Sequence, residues 1–141
     1  MNRLLKIIII FSAFFISSCL NFSTGSLSSN TNNGIDDKYY GTYEGTITIK
    51  ENNNLTSQAT ANLVVSSGSV VTIRIWGSLI NLHIPIYKES LIKISDNMYK
   101  ASVTSSGIKY DFTLSFSYSM MNLYYVSSDN AIGEGNLTKI R

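Results

Sequence analysis

From Ile108 to Met120 apolar side chains alternate with polar ones without a fault. Ile108, Tyr110, Phe112, Leu114, Phe116, Tyr118 and Met120 are separated by Lys109, Asp111, Thr113, Ser115, Ser117 and Ser119. A period of two is the mark of a β-strand with one face in a core and the other in water. Thirteen residues at ~3.4 Å each would reach ~44 Å, wider than a small domain, so the strand is expected to bend into a second sheet or lose residues at its ends.

The same period recurs along the chain. Tyr43, Gly45, Ile47 and Ile49 face Thr42, Glu44, Thr46, Thr48 and Lys50, and Glu51-Asn52-Asn53-Asn54 reads as a turn. Leu55, Ala59, Ala61, Leu63 and Val65 make the return strand, closed by Ser66-Ser67-Gly68-Ser69. Val71, Ile73 and Ile75 follow, then Gly77-Ser78 and a strand carrying Ile80, Leu82, Ile84 and Ile86. Pro85 has no N–H for a ladder, which predicts an edge or a bulge there. Ile92 and Ile94 predict a short strand, Tyr99, Ala101 and Val103 another, and Leu123 with Tyr125, then Gly133, Gly135 and Leu137, complete the series. No segment of this region shows a helical period. The pattern predicts an all-β antiparallel meander of eight or nine strands, most simply an up-and-down β-barrel, with a β-sandwich as the alternative.

Ahead of these strands the pattern is different. Asn2, Arg3 and Lys6 form a basic head, and Ile7 to Ile16 is apolar apart from Ser12 and small Ala13. Ten helical residues reach only ~15 Å, half the hydrocarbon core, so residues 1–18 read as a cleaved signal peptide. Ile16-Ser17-Ser18-Cys19 resembles the lipobox of bacterial lipoproteins, with Ile16 where Leu is usual. The resemblance implies that Cys19 is diacylated and becomes the mature N-terminus, anchoring the chain to a bacterial outer membrane or cell surface. Cys19 is the chain's single cysteine, so it has no disulfide partner within it. Leu20 to Lys38, rich in Ser, Asn, Thr and Gly, reads as a flexible tether with a reach of about 24 Å. The domain is therefore expected over residues 39–141.

Charge and chemistry exclude more than they offer. Eleven Lys and Arg stand against nine Asp and Glu, and Arg3 and Lys6 belong to the leader, so the mature chain balances and gives no case for nucleic acid. One histidine and one cysteine make no soft-metal site, and scattered acids make no calcium loop; no metal or cofactor is expected. His83 lacks a distinguished serine, and Glu44, Glu51, Asp111 and Glu134 read as a solvated face, so the chain is not expected to be an enzyme. The three Asn-x-Ser/Thr matches at Asn21, Asn54 and Asn136 read as chance. Trp76, Tyr87, Tyr99, Tyr124 and Tyr125 are candidates for an aromatic surface, with burial the stronger reading.

Gly41-Thr42-Tyr43-Glu44-Gly45-Thr46-Ile47 resembles the first barrel strand of calycin-like proteins, the lipocalin superfamily in its small bacterial lipoprotein form. Gly133-Glu134-Gly135-Asn136-Leu137-Thr138-Lys139 resembles a closing strand of the same kind. The resemblance implies a barrel and a capacity for small apolar ligands. A binding module would line a cavity with Tyr43, Phe112, Phe116 and Tyr125, over small Ala59, Ala61, Gly133 and Gly135. An interaction module would have a filled interior and meet a protein partner through its outer face. Heavy Ile, Leu, Phe and Tyr in the inner rows favour the filled interior. Alternation reads equally well for a transmembrane barrel with inverted phases, but the short inner rows, the lipid anchor and the ending Lys139-Ile140-Arg141 favour apolar residues inside.

Overall fold

Nine strands form among the described residues, 34–51 and 55–141 of a computed structural model; the expected signal peptide, Cys19 and the expected tether up to residue 33 lie outside them, as do residues 52–54 of the expected turn. They are β1 (Gly41–Glu51), β2 (Leu55–Val65), β3 (Val71–Gly77), β4 (Asn81–Ile86), β5 (Leu91–Ser95), β6 (Met98–Ser105), β7 (Ile108–Ser117), β8 (Met120–Ser127) and β9 (Ala131–Lys139). A single antiparallel sheet runs in the order β4-β3-β2-β1-β9-β8-β7-β6-β5, so β9 returns to β1 and the meander curls into a barrel wall. The phase is apolar inside. Ile47, Leu63, Ile73, Ile84, Leu114 and Leu123 are at most 1% exposed. Thr46, Gln58, Arg74, His83, Lys100 and Asn122 lie outside and exposed, a surface that hydrocarbon would not accept.

An odd number of strands cannot close an all-antiparallel ring, because one neighbouring pair must then point the same way. Here that pair is β4 and β5. Tyr87–Ser90 joins them, containing the 3-10 turn Lys88–Ser90, and four residues are far fewer than a parallel crossover needs. β5 therefore continues onward in the direction of β4. The two act as one broken course, the first part laddered to β3 and the second to β6, and the barrel has eight courses. Across the remaining seam β4 approaches β6 to within 8 Å without ladder bonds. Pro85 lies opposite Thr72 on this free-edged strand, where its missing N–H costs nothing.

The faultless alternation from Ile108 to Met120 is two strands. β7 ends at Ser117, Tyr118 and Ser119 make a two-residue hairpin with Tyr118 at φ +44°, and Met120 pairs back to Ser117. A two-residue link changes which parity faces inward. Phe116 is buried at an even position and Met121 at an odd one, while Tyr118 is 99% exposed. The expected loss of residues at the strand's end occurs, and the apolar pattern runs through the turn because Tyr118 and Met120 are apolar but outward.

At the corner between β1 and β9 the register passes from Glu44↔Thr138 to Thr48↔Glu134 with no bridged pair between. A Cβ on Gly45 would stand 2.5 Å from the Asn136 carbonyl oxygen, and one on Gly135 equally close to that of Thr46. The two strands approach this closely only because both positions lack a side chain.

Two expectations need correction. Ile92 and Ile94 are on the outer face, 61% and 51% exposed, and the inward row of β5 is Leu91 and Lys93. The packed structure also starts before Tyr39. Ile35 is 2% exposed, so the last residues assigned to the tether belong to the barrel.

Candidate functional site

Tyr43, Phe112, Phe116 and Tyr125 all point into the barrel, each at most 1% exposed, and their rings pack against other aromatic rings there. They divide into two clusters. At one end Phe116 stacks on Tyr39 at 4.6 Å between ring centres and takes the edges of Tyr43 at 5.6 Å and Tyr99 at 5.9 Å. Towards the other, Phe112 meets Tyr125 at 5.8 Å, and Tyr110 packs on both. Two of the small residues expected to leave room are covered. The Tyr125 ring lies on Gly133, and Ile47 lies against Gly135. Burial pushes the phenols of Tyr43 and Tyr99 up, and that of Tyr125 furthest. Tyr43 donates to the Tyr39 carbonyl at 2.8 Å, whereas the Tyr125 hydroxyl is buried without a partner among the described residues.

One end of the barrel is stopped by residues 34–40. The 3-10 turn Asp37–Tyr39 sets Tyr39 on Phe116, and Ile35 enters the core beside it. Polar contacts hold the segment down. Lys93 Nζ donates to both Asp36 carboxylate oxygens at 3.1 Å, the Asp36 amide donates to the Tyr99 hydroxyl at 3.2 Å, and Tyr39 donates to the Asp96 carbonyl at 3.2 Å. Sequence reading missed Lys93 and Asp36 together. Leu91, one residue before the chosen row, was the available sign that β5 takes the other phase, and that phase carries Lys93 to the barrel mouth.

Acid is expected to release this plug. Burial raises the Asp36 carboxyl, but the hydrogen bond and charge of Lys93, helped by Tyr99 and Lys38, outweigh it and hold the group below its ordinary value of 3.8. The Lys93 ammonium is held up, mainly by the same hydrogen bond. A depressed carboxyl contributes stability that is present above the unfolded value and lost as pH falls through the folded one. Amide protection factors over residues 35–40 should therefore drop below about pH 4 while β1 stays protected. Asp36→Asn should show the loose plug at neutral pH. Protection that falls in step with β1, in the variant and in acid, would contradict the latch.

Outside the plug, a recess of about 410 Å³ opens between the 3-10 turn and the β7–β8 hairpin, lined by Lys38, Tyr39, Asn97, Phe116, Ser117 and Tyr118. Another, of about 380 Å³, lies on the outer wall among Ile92, Lys100, Asp111, Thr113 and Tyr124. The five candidates for an aromatic surface do not gather. Tyr99 and Tyr125 are core, Tyr124 is half-buried, and Trp76 and Tyr87 are exposed. Glu44, Asp111 and Glu134 are on the outer face, and Glu134 pairs with Lys50 at 3.5 Å. Glu51 departs from the expected outward phase and is half-buried at the end of β1. His83 is exposed opposite Arg74. Among the described residues no group of three or more His, Cys, Asp or Glu could hold a metal.

No family model matches this chain, and no curated protein does. Among solved structures it is similar to a redesigned β-barrel, with a TM-score of 0.50 and 14% identity over 74% of this chain and 93% of that one. The likeness is one of fold: a meander of antiparallel strands curled into a barrel.

Proposed function

We propose that this chain is a bacterial lipoprotein, exported and anchored through Cys19 to an outer membrane or cell surface, whose barrel is a filled scaffold acting by contact with a partner. The observation that carries the second half is the interior. Tyr43, Phe112, Phe116 and Tyr125 occupy the space a ligand would need, and glycines that would have widened it lie under Tyr125 and Ile47. The first half rests on the basic head, the short apolar run and Ile16-Ser17-Ser18-Cys19. Two acyl chains at ~0.8 kcal/mol per buried CH₂ suffice for a stable anchor.

Cys19→Ser, expressed in a lipoprotein-processing host, is expected to change the mature mass and move the chain out of the detergent phase. An unchanged mass with full detergent partitioning would reject the anchor. Binding of a small apolar ligand is the second reading, favoured by the unpartnered Tyr125 hydroxyl, which a bound polar group would satisfy. Native mass spectrometry of protein from its own host, beside a refolded control, separates the two. The scaffold reading expects equal masses, and an added few hundred daltons, about the size of one enclosed ligand, lost on refolding would replace it.

A further inference from the structure

Single exposed apolar side chains are normal on any protein, so their distribution carries more meaning than their number. Of the eight large hydrophobic residues that stand exposed among the described residues, four lie around the plugged end: Tyr118 at 99%, Ile140 at 56%, Ile94 at 51% and Met120 at 45%. Their placement follows from the turns. Tyr118 tips the β7–β8 hairpin, and Met120 opens β8 opposite Thr138. Ile140 follows β9 and donates its amide to Thr42 at the start of β1. Ile94 stands just ahead of the β5–β6 turn, whose Asn97 carbonyl accepts from the Phe116 amide. Trp76 and Leu79, by contrast, belong to the β3–β4 hairpin at the opposite end, and Tyr87 and Ile92 to the wall.

The same end receives the N-terminal chain. Residues 34–40 seal it, and Gly34, where the described chain begins, lies against Ser69 and Lys88 at this end. We propose that this rim rests on the lipid surface, with Tyr118 and Ile140 inserted at headgroup depth and Met120 and Ile94 flanking them. The proposal rests on the lipid-anchor reading and adds an orientation to it: plug towards the membrane, Trp76 and the β3–β4 hairpin away from it. Tyrosine suits the position, having an apolar ring for the acyl boundary and a hydroxyl for the headgroups. A tether makes so small a contact sufficient, because docking is then intramolecular and weak contacts act at high effective concentration. Lys38, Lys88, Lys139 and Arg141 around this end are nearly balanced by Asp37, Asp96 and Glu89, which adjoins Lys88 in the same 3-10 turn, while Asp36 is taken up by Lys93. Docking is therefore apolar in origin and should survive added salt and uncharged lipid.

Trp76 is the chain's single tryptophan and reports on the far end. The lipidated full chain is reconstituted into phosphatidylcholine vesicles with or without bromine on the acyl chains, as wild type and as Trp76→Phe carrying Tyr118→Trp or, separately, Ile140→Trp. Sedimentation is read first and tests the anchor; quenching is read on the sedimented chain and tests the docking. Both rim tryptophans should lose about half of their emission or more, as expected for side chains within the ~5–10 Å interfacial zone, and Trp76 should lose none. Rim tryptophans that sediment without quenching would overturn the docking while leaving the anchor intact, as would quenching of Trp76 instead. A lipidated chain that does not sediment would overturn both, since so few side chains cannot hold an untethered barrel on a bilayer.

Discussion

Truncating Phe116 to alanine is expected to destabilise the chain by about 3–5 kcal/mol, a large share of the 5–15 kcal/mol that a domain of this kind has in total. The ring is 1% exposed and packs on the rings of all three other members of its cluster, with Tyr39 stacked on it and the edges of Tyr43 and Tyr99 against it. Each such aromatic pair adds about 0.5–1.5 kcal/mol beyond buried area. Removing Phe116 deletes three at once and leaves a hole between the wall and the plug. Urea unfolding of the mature chain measures the loss, and Phe116→Leu, which keeps most of the volume, should cost clearly less. Tyr39 should also lose its seat, so protection at residues 35–40 should fall more than at β2. A cost below about 1 kcal/mol would mean that the cluster relaxes around the gap and that Phe116 does not organise it.

Most of the wall was legible because period two is a direct consequence of backbone geometry and needs no knowledge of neighbours. β1, β3, β6 and, from Ala59 onward, β2 take the inward rows read from their apolar positions, and Pro85 marks the free-edged strand. The errors arose where two phases were both apolar enough to read. In Leu91-Ile92-Lys93-Ile94 hydrophobicity alone selects the isoleucines, yet the broken course through Tyr87–Ser90 fixes the phase, and the inward position at Lys93 reaches a mouth where a carboxylate waits. A lysine turned inward is invisible to a pattern that equates inside with apolar. Ile108 to Met120 failed in the opposite sense: a two-residue turn exchanges parity, and the adjacent pair Met120 and Met121 conceals the exchange.

The candidate site was legible in its residues and not in its shape. The phase of Tyr43, Phe112, Phe116 and Tyr125 places them on the inner face, and all four are buried there. Whether large rings fill a barrel or line it depends on which ring lies over which glycine, a relation between strands that one-dimensional spacing does not carry. The plug was missed for a related reason. Gly34 to Lys38 has the composition of a tether, and only Ile35 departs from it. One isoleucine carries no period, and what fixes it is the open end of a barrel built by residues far along the chain.

The pairing of Tyr125 with Gly133 gives the sharpest test that the interior is filled by design of the sequence and not by chance collapse. A Cβ at position 133 would lie 2.1 Å from Cε1 of Tyr125 and 2.5 Å from Cζ, and Phe112 and Tyr110 pack on the same ring, so a swing towards either would have to displace it. Gly133→Ala should cost about 2–3 kcal/mol by overpacking, and Gly133→Val more, with loss of cooperative unfolding. Tyr125→Phe keeps the ring but removes a hydroxyl that is buried without a partner, and should be neutral or stabilising by about 1 kcal/mol; it should not relieve the alanine, because the clashing carbons remain. Tyr125→Leu should relieve it. On its own that change opens a cavity and costs about 2–4 kcal/mol, but combined with Gly133→Ala the added methyl enters the space the ring has left. The double variant should then be more stable than the sum of the singles by about 1 kcal/mol or more, a coupling read from a double-mutant cycle in urea. Additive costs, or Gly133→Ala within about 0.5 kcal/mol of wild type, would mean that the ring has room to move, and a barrel with room at Tyr125 is one that can hold a ligand.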